Sequence, residues 1–188
     1  MNTRAQPIII TGFMGAGKTT VAHALSRKLK CAMVDLDNFI SERTGRTPQA
    51  IIDEDGEQPF RELESEALRV ALETSDAQII ALGGGTWTMT DNRALVRERN
   101  GFTVWLDAPF ELCWLRVGSE GRSRPLARDS SSARELYDKR RAVYDQAMLR
   151  VEVSEERSAD AIALEIMDAL SRQQESLKED SNTQNYKL

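Results

Sequence analysis

The clearest chemistry in this chain lies in GFMGAGKT (12–19), which has the G-x-x-x-x-G-K-[ST] spacing of a phosphate-binding loop. Gly12, Gly15 and Gly17 let the backbone curl until successive N–H groups, those of Ala16 and Thr20 included, converge on a phosphate. Lys18 adds a mobile cation for the outer phosphates, and the Thr19 hydroxyl is an oxygen ligand for Mg²⁺. The apolar run Ile8-Ile9-Ile10 before the loop and the helix-like stretch after it supply the strand–loop–helix context the motif requires. These residues read as a nucleoside triphosphate site.

Two further clusters carry chemistry. Asp35 and Asp37 are spaced i, i+2, so one carboxylate can serve the nucleotide's metal while the other orients or deprotonates an acceptor hydroxyl. One of them could instead simply cap the helix that starts near Asn38. Gly83, Gly84 and Gly85 allow close backbone approach and offer N–H groups to an anion. Arginines supply planar cationic forks at Arg61, Arg124, Arg140 and Arg141. Spacing alone selects neither Arg61 over Arg69 nor Arg140 over Arg141.

The elements that must position these groups alternate strand and helix. Strands are expected at Ile8–Thr11, Cys31–Leu36, Gln78–Leu82, Thr103–Leu106 and Arg150–Val153. Helices are expected at Thr19–Lys30, Asn38–Arg43, from Pro48 to Ile52, Phe60–Thr74, Asp91–Arg99, Pro109–Val117, Ser132–Gln146 and Ser158–Gln173. Nearly continuous apolar strands in this order give an α/β, three-layer sandwich around a central parallel sheet. The Asp pair, the glycine run and the phosphate loop all follow strands, so they should meet along the carboxyl edge. A single domain over 1–172 is expected, with a lid at about 116–133 and a polar, disordered tail over 173–188.

Composition narrows the function classes. Net charge is -5, which gives no electrostatic case for a nucleic-acid partner. No apolar run approaches the roughly 20 residues needed to span a bilayer, and residues 1–7 do not read as a secretory signal. A cytoplasmic monomer is expected. Cys31 and Cys113 lack metal-site spacing and read as reduced thiols. His23 is the only histidine, which leaves little basis for a His-based triad or a multi-histidine metal centre.

Taken together, the motifs resemble shikimate kinases, a family within the nucleoside-monophosphate-kinase-like phosphate-loop enzymes. The resemblance is carried by GFMGAGKTT (12–20), VDLDNFISERTG (34–45), GEQPFRELESEAL (56–68), ALGGG (81–85), VWLDAP (104–109), RPL (124–126) and LYDKRRAVY (136–144). It implies a five-stranded sheet, ATP and Mg²⁺, and phosphorylation of shikimate to shikimate 3-phosphate in aromatic amino acid biosynthesis. It further implies that Lys18 and the loop from Gly12 to Thr20 hold the ATP phosphates, with Thr19 and Asp35 at the metal. Asp37 matches the aspartate at the shikimate hydroxyls, and Arg61 and Arg140 match the carboxylate clamp beside Gly83–Gly85. Arg124 matches the lid arginine, Arg116 an arginine near the adenine, and Phe60 an aromatic pocket wall within a substrate-binding segment of about 36–64. The family commonly has R-x-P-x-Y in the late helix where this chain has RRAVY (140–144), so Arg141 stays open. RPLA replaces RPLL in the lid, and Ile52 stands where a pocket phenylalanine is frequent. A kinase for another hydroxylated acid, such as gluconate, and a non-catalytic nucleotide switch are the rival readings.

Overall fold

The computed structural model describes residues 5–74, 76–119 and 129–185. Among them are five strands: β1 (Ile8–Thr11), β2 (Met33–Asp35), β3 (Ile79–Ala81), β4 (Phe102–Asp107) and β5 (Leu149–Glu152). The helices are α1 (Lys18–Leu29), α2 (Leu36–Thr44), α3 (Pro48–Asp55), α4 (Glu57–Thr74), α5 (Thr90–Glu98), α6 (Phe110–Ser119), α7 (Ser130–Tyr144) and α8 (Ala159–Asn185). Every strand pairing is parallel, in the order β2-β3-β1-β4-β5. The central β1 places Ile8 beside Ile79 on one side and Phe102 on the other. β1, β3 and β4 are buried along their whole length, as strands covered on both faces must be. The expected α/β sandwich with five parallel strands is therefore present.

Local signals set the helix ends. Thr47 caps α3, its side chain accepting from the Ala50 N–H, with Pro48 at the first helical position. Gly45 ends α2 in the left-handed region at φ 69°, where a residue without Cβ is favoured. Helix α4 begins at Glu57, earlier than the expected Phe60, because Pro59 is tolerated in a first turn. Its buried stripe runs through Phe60, Glu64, Leu68, Ala71 and Leu72, leaving Leu63 and Val70 at its margins.

Two features depart from the sequence reading. A short 3₁₀ turn, Thr86–Thr88, follows the glycine run and was not anticipated. Within the tail expected to be disordered over 173–188, α8 continues to Asn185, and residues 186–188 lie outside the described residues. Residues 173–185 contain neither Gly nor Pro and several good helix formers, so low hydrophobicity alone does not end the helix.

An aromatic chain ties the phosphate loop to the helices that flank residues 120–128. Phe13 meets Tyr137 edge-on at 5.2 Å, Tyr137 meets Phe110 at 5.6 Å, and Phe110 stacks on Trp114 at 6.2 Å. Both cysteines are free thiols, and burial pushes Cys113 up to about 11.

Candidate active site

A cleft of about 700 Å³ opens at the carboxyl edge of the sheet, lined by Gly15 through Thr20, Asp35, Asp37, Gly84 and Arg116. A larger hollow of about 1090 Å³ lies at the opposite edge, around the residues that precede β1, β3, β4 and β5. The phosphate loop, both aspartates and the glycine run belong to the carboxyl edge, so the chemistry is assigned there.

The loop is built as its glycines require. Gly12, Gly15 and Gly17 have φ values of 144°, 75° and 91°. A Cβ on Gly15 would collide with the backbone of Cys113, and one on Gly12 would lie 2.8 Å from the Leu106 carbonyl. Gly12 therefore packs against β4 instead of lining the cleft. Gly17 caps α1 without any side-chain bond, and the first turn of α1 carries no acidic residue. Its N–H groups and positive dipole end stay available to an anion. Lys18 Nζ donates to the Phe13 carbonyl at 3.0 Å, which arches the side chain back over the loop. Arg116, carried by α6, donates to the Gly15 carbonyl at 3.2 Å and lies beside Gly17.

Asp35 does two jobs. One carboxylate oxygen accepts the Asn38 N–H at 3.1 Å and caps α2, and the other accepts the Thr19 hydroxyl at 2.5 Å. The helix-capping reading thus holds for Asp35, whose other oxygen is left at the Thr19 hydroxyl. Thr19 and Asp35 present hard oxygen donors side by side at the mouth of the loop, a set that fits Mg²⁺ retaining several waters. Asp37 stands in the first turn of α2, with its Oδ1 2.8 Å from where a Cβ on Gly83 would be. The second carboxylate therefore faces the glycine run.

On the other side of that run the structure separates the paired arginines. Arg61 is buried, donating to Glu57 at 2.8 and 3.1 Å and to the buried Glu64. Burial works against its charge, but Glu64 and Glu57 outweigh that and raise its pKa. Arg69, eight positions on, is exposed beside Glu66. Arg140 is buried, with Nη1 3.5 Å from a Cβ position on Gly84. Arg141 points elsewhere: it donates to Asp107 and to the Tyr137 hydroxyl, each at 2.8 Å, and lies over the Trp105 ring at 5.2 Å. Tyr144 donates to the Gly84 carbonyl at 2.5 Å, and burial pushes its phenol up to about 12, so it remains a donor at working pH.

Glu64, Tyr144 and Arg157 are site residues that the sequence reading passed over. Glu64 was legible in the FR-x-x-E spacing, which stacks Arg61 and Glu64 on one helix face at i, i+3. Arg157 lines the cleft from the segment after β5, donating to the Glu152 carbonyl and to Glu165. Arg124 and the middle of the expected lid, residues 120–128, fall outside the described residues.

Gly85 is a sharp test of this packing. A Cβ there would sit 2.5 Å from Arg61 Cζ and 2.7 Å from Nη2. We expect Gly85→Ala to displace the guanidinium and weaken acid-substrate binding at least about tenfold, with nucleotide affinity intact, by calorimetry.

A parallel order of β2-β3-β1-β4-β5, with a phosphate loop after β1 and an aspartate facing the glycine turn across the cleft, is the arrangement of the phosphate-loop kinase fold. The shikimate kinase family model matches residues 14–171. A shikimate kinase from Cereibacter sphaeroides is 37% identical over 176 residues, covering 92% of this chain and 86% of that protein. One from Symbiobacterium thermophilum is 36% identical over 172 residues, covering 89% and 98%. The solved shikimate kinase from Acinetobacter baumannii in complex with shikimate superposes with a TM-score of 0.83 at 31% identity, covering 90% and 96%. The chain belongs to the shikimate kinase family and is a kinase.

Proposed function

We propose that this chain transfers the terminal phosphoryl group of ATP to the 3-hydroxyl of shikimate, in the pathway to chorismate and the aromatic amino acids. The observation that carries this reading is the convergence on one glycine turn of Asp37, Arg61 and Arg140. Shikimate is a carboxylate on a ring of hydroxyls. Its recognition calls for cationic forks, a carboxylate acceptor and backbone amides within reach of a nucleotide phosphate.

Placement supports a division of labour. The loop amides, Lys18 and the amino end of α1 hold the ATP phosphates, with Arg116 beside them. Thr19 and Asp35 are the residues that would hold Mg²⁺, which when bound with ATP neutralises phosphate charge. Asp37 orients the acceptor hydroxyl and takes its proton. Arg61, Arg140 and the Gly83–Gly85 amides clamp the carboxylate, with Phe60 behind Arg61 at 5.5 Å. The segment of about 36–64 holds the acid, and Arg124, which lies outside the described residues, serves the phosphates. The enzyme works as a cytoplasmic monomer. Among the described residues, no helix is long and apolar enough to cross a membrane.

The neighbouring arginines provide the test. Arg140→Ala should weaken shikimate binding by about 2–4 kcal/mol, as loss of one partner of a desolvated charge pair does. Arg141→Ala should leave shikimate affinity within about twofold while lowering Tm, because it strips Asp107 of a partner. Calorimetry in which the Arg141 variant lost shikimate and the Arg140 variant kept it would overturn the assignment of the clamp.

A further inference from the structure

The glycine turn that receives the acid is held from behind. Six consecutive carbonyls, Gly83 through Thr88, each accept a hydrogen bond within the protein. Gly83 accepts from the Thr86 N–H at 3.2 Å, Gly84 from Tyr144, and Gly85 from the Thr88 N–H at 2.9 Å and its hydroxyl at 2.6 Å. Thr86 accepts from Asn92 Nδ2 at 3.0 Å. Arg93 Nη1 spans the next two carbonyls, Trp87 at 2.8 Å and Thr88 at 2.9 Å, while its Nη2 donates to the Thr90 hydroxyl at 3.2 Å.

In a planar trans peptide the N–H points opposite to the preceding carbonyl. Fixing this row of carbonyls therefore fixes the directions of the turn's amides, including those of Gly84 and Gly85. The same turn carries the Thr86 hydroxyl, which donates to Glu64 at 2.6 Å, and Glu64 in turn pairs with Arg61. Asn92 and Arg93 thus hold the Thr86, Trp87 and Thr88 carbonyls, and reach the glycine amides through the turn's own bonds from the Thr86 and Thr88 N–H groups and Arg61 through Thr86 and Glu64. Neither lines the cleft. Asn92 is buried, and the buried Arg93 Nε has no hydrogen-bond partner, so its Nη bonds provide the polar hold on this side chain.

We propose that Asn92 and Arg93 are positioning residues for the acid substrate, locking the Thr86–Thr88 turn from α5 so that the Gly83–Gly85 amides and Arg61 are already aimed before binding. Preorganisation of this kind lowers the ordering cost of binding and acts on the one substrate whose site is built. The proposal rests on the shikimate reading above. Wild-type turnover of shikimate tests that reading alone, and the variants measured against wild type test this one.

The experiment compares Arg93→Leu, Asn92→Leu and, as a control on the same stretch, Arg99→Leu, whose side chain is exposed beside Glu73. KM is determined separately for shikimate and ATP, alongside Tm. We expect the Arg93 and Asn92 variants to raise shikimate KM about tenfold, with ATP KM within about twofold, and the control to change neither. Arg93→Lys keeps the charge but replaces the fork by one donor centre, and should raise shikimate KM by about threefold. It also serves if the leucine variant does not fold. A purely structural role would lower Tm with both KM values unchanged, or move both KM values together. Either outcome, or an Arg93→Lys enzyme with wild-type shikimate KM, would overturn the proposal.

Discussion

Lys18→Ala should leave a folded protein whose phosphoryl transfer has fallen by about 10³-fold or more, the scale of removing a preorganised charge from a developing transition state. Lys18 already bends back over the loop through its bond to the Phe13 carbonyl, and it stands in the cleft at the amino end of α1. Its cation therefore meets the phosphates where the loop amides converge. Charge shifts toward the leaving oxygens as the terminal phosphoryl departs, so the loss should fall mainly on kcat. Rates measured under saturating shikimate and ATP, with circular dichroism as the check on folding, decide the matter. A variant that retained most of its turnover would remove Lys18 from the mechanism.

Asp37→Asn should produce the second large loss, with kcat lower by about 10²–10⁴-fold and shikimate KM raised, as removal of a general base predicts. The change is nearly isosteric. Asp35 caps α2, so the fold and nucleotide binding should survive. The pH profile separates two roles for the carboxylate. If Asp37 takes the proton, the acidic limb of the rate profile depends on it and should change in the variant. An unchanged acidic limb would reduce Asp37 to a residue that only positions the hydroxyl.

What the sequence disclosed depended on how local each cause is. The phosphate loop was legible because its glycines and lysine act within eight residues, and positive φ at Gly15 and Gly17 is a property of the loop itself. The parallel α/β sheet was legible because apolar runs separated by amphipathic stretches leave few arrangements, though the order of its strands was not read. The choice between Arg140 and Arg141 was not local. Adjacent residues on a helix point about 100° apart, and which one faces the glycine turn is set by the partners waiting for the other. Here Asp107 and Trp105, on a strand over thirty residues earlier, draw Arg141 away. The same holds for the Thr86–Thr88 turn, whose shape depends on donors from α5 that no local pattern reveals. The continuation of α8 to Asn185 follows helix propensity in a stretch without Gly or Pro, a signal separate from the polarity that was read there.

The kinase reading is most directly tested by ADP release from ATP, followed with and without shikimate and with gluconate as the competing hydroxylated acid. A site made of Asp37, Arg61, Arg140 and the Gly83–Gly85 turn predicts ADP release that depends on shikimate, with shikimate 3-phosphate formed in equal amount and gluconate giving no comparable rate. ADP release indifferent to shikimate, or faster with gluconate, would contradict it.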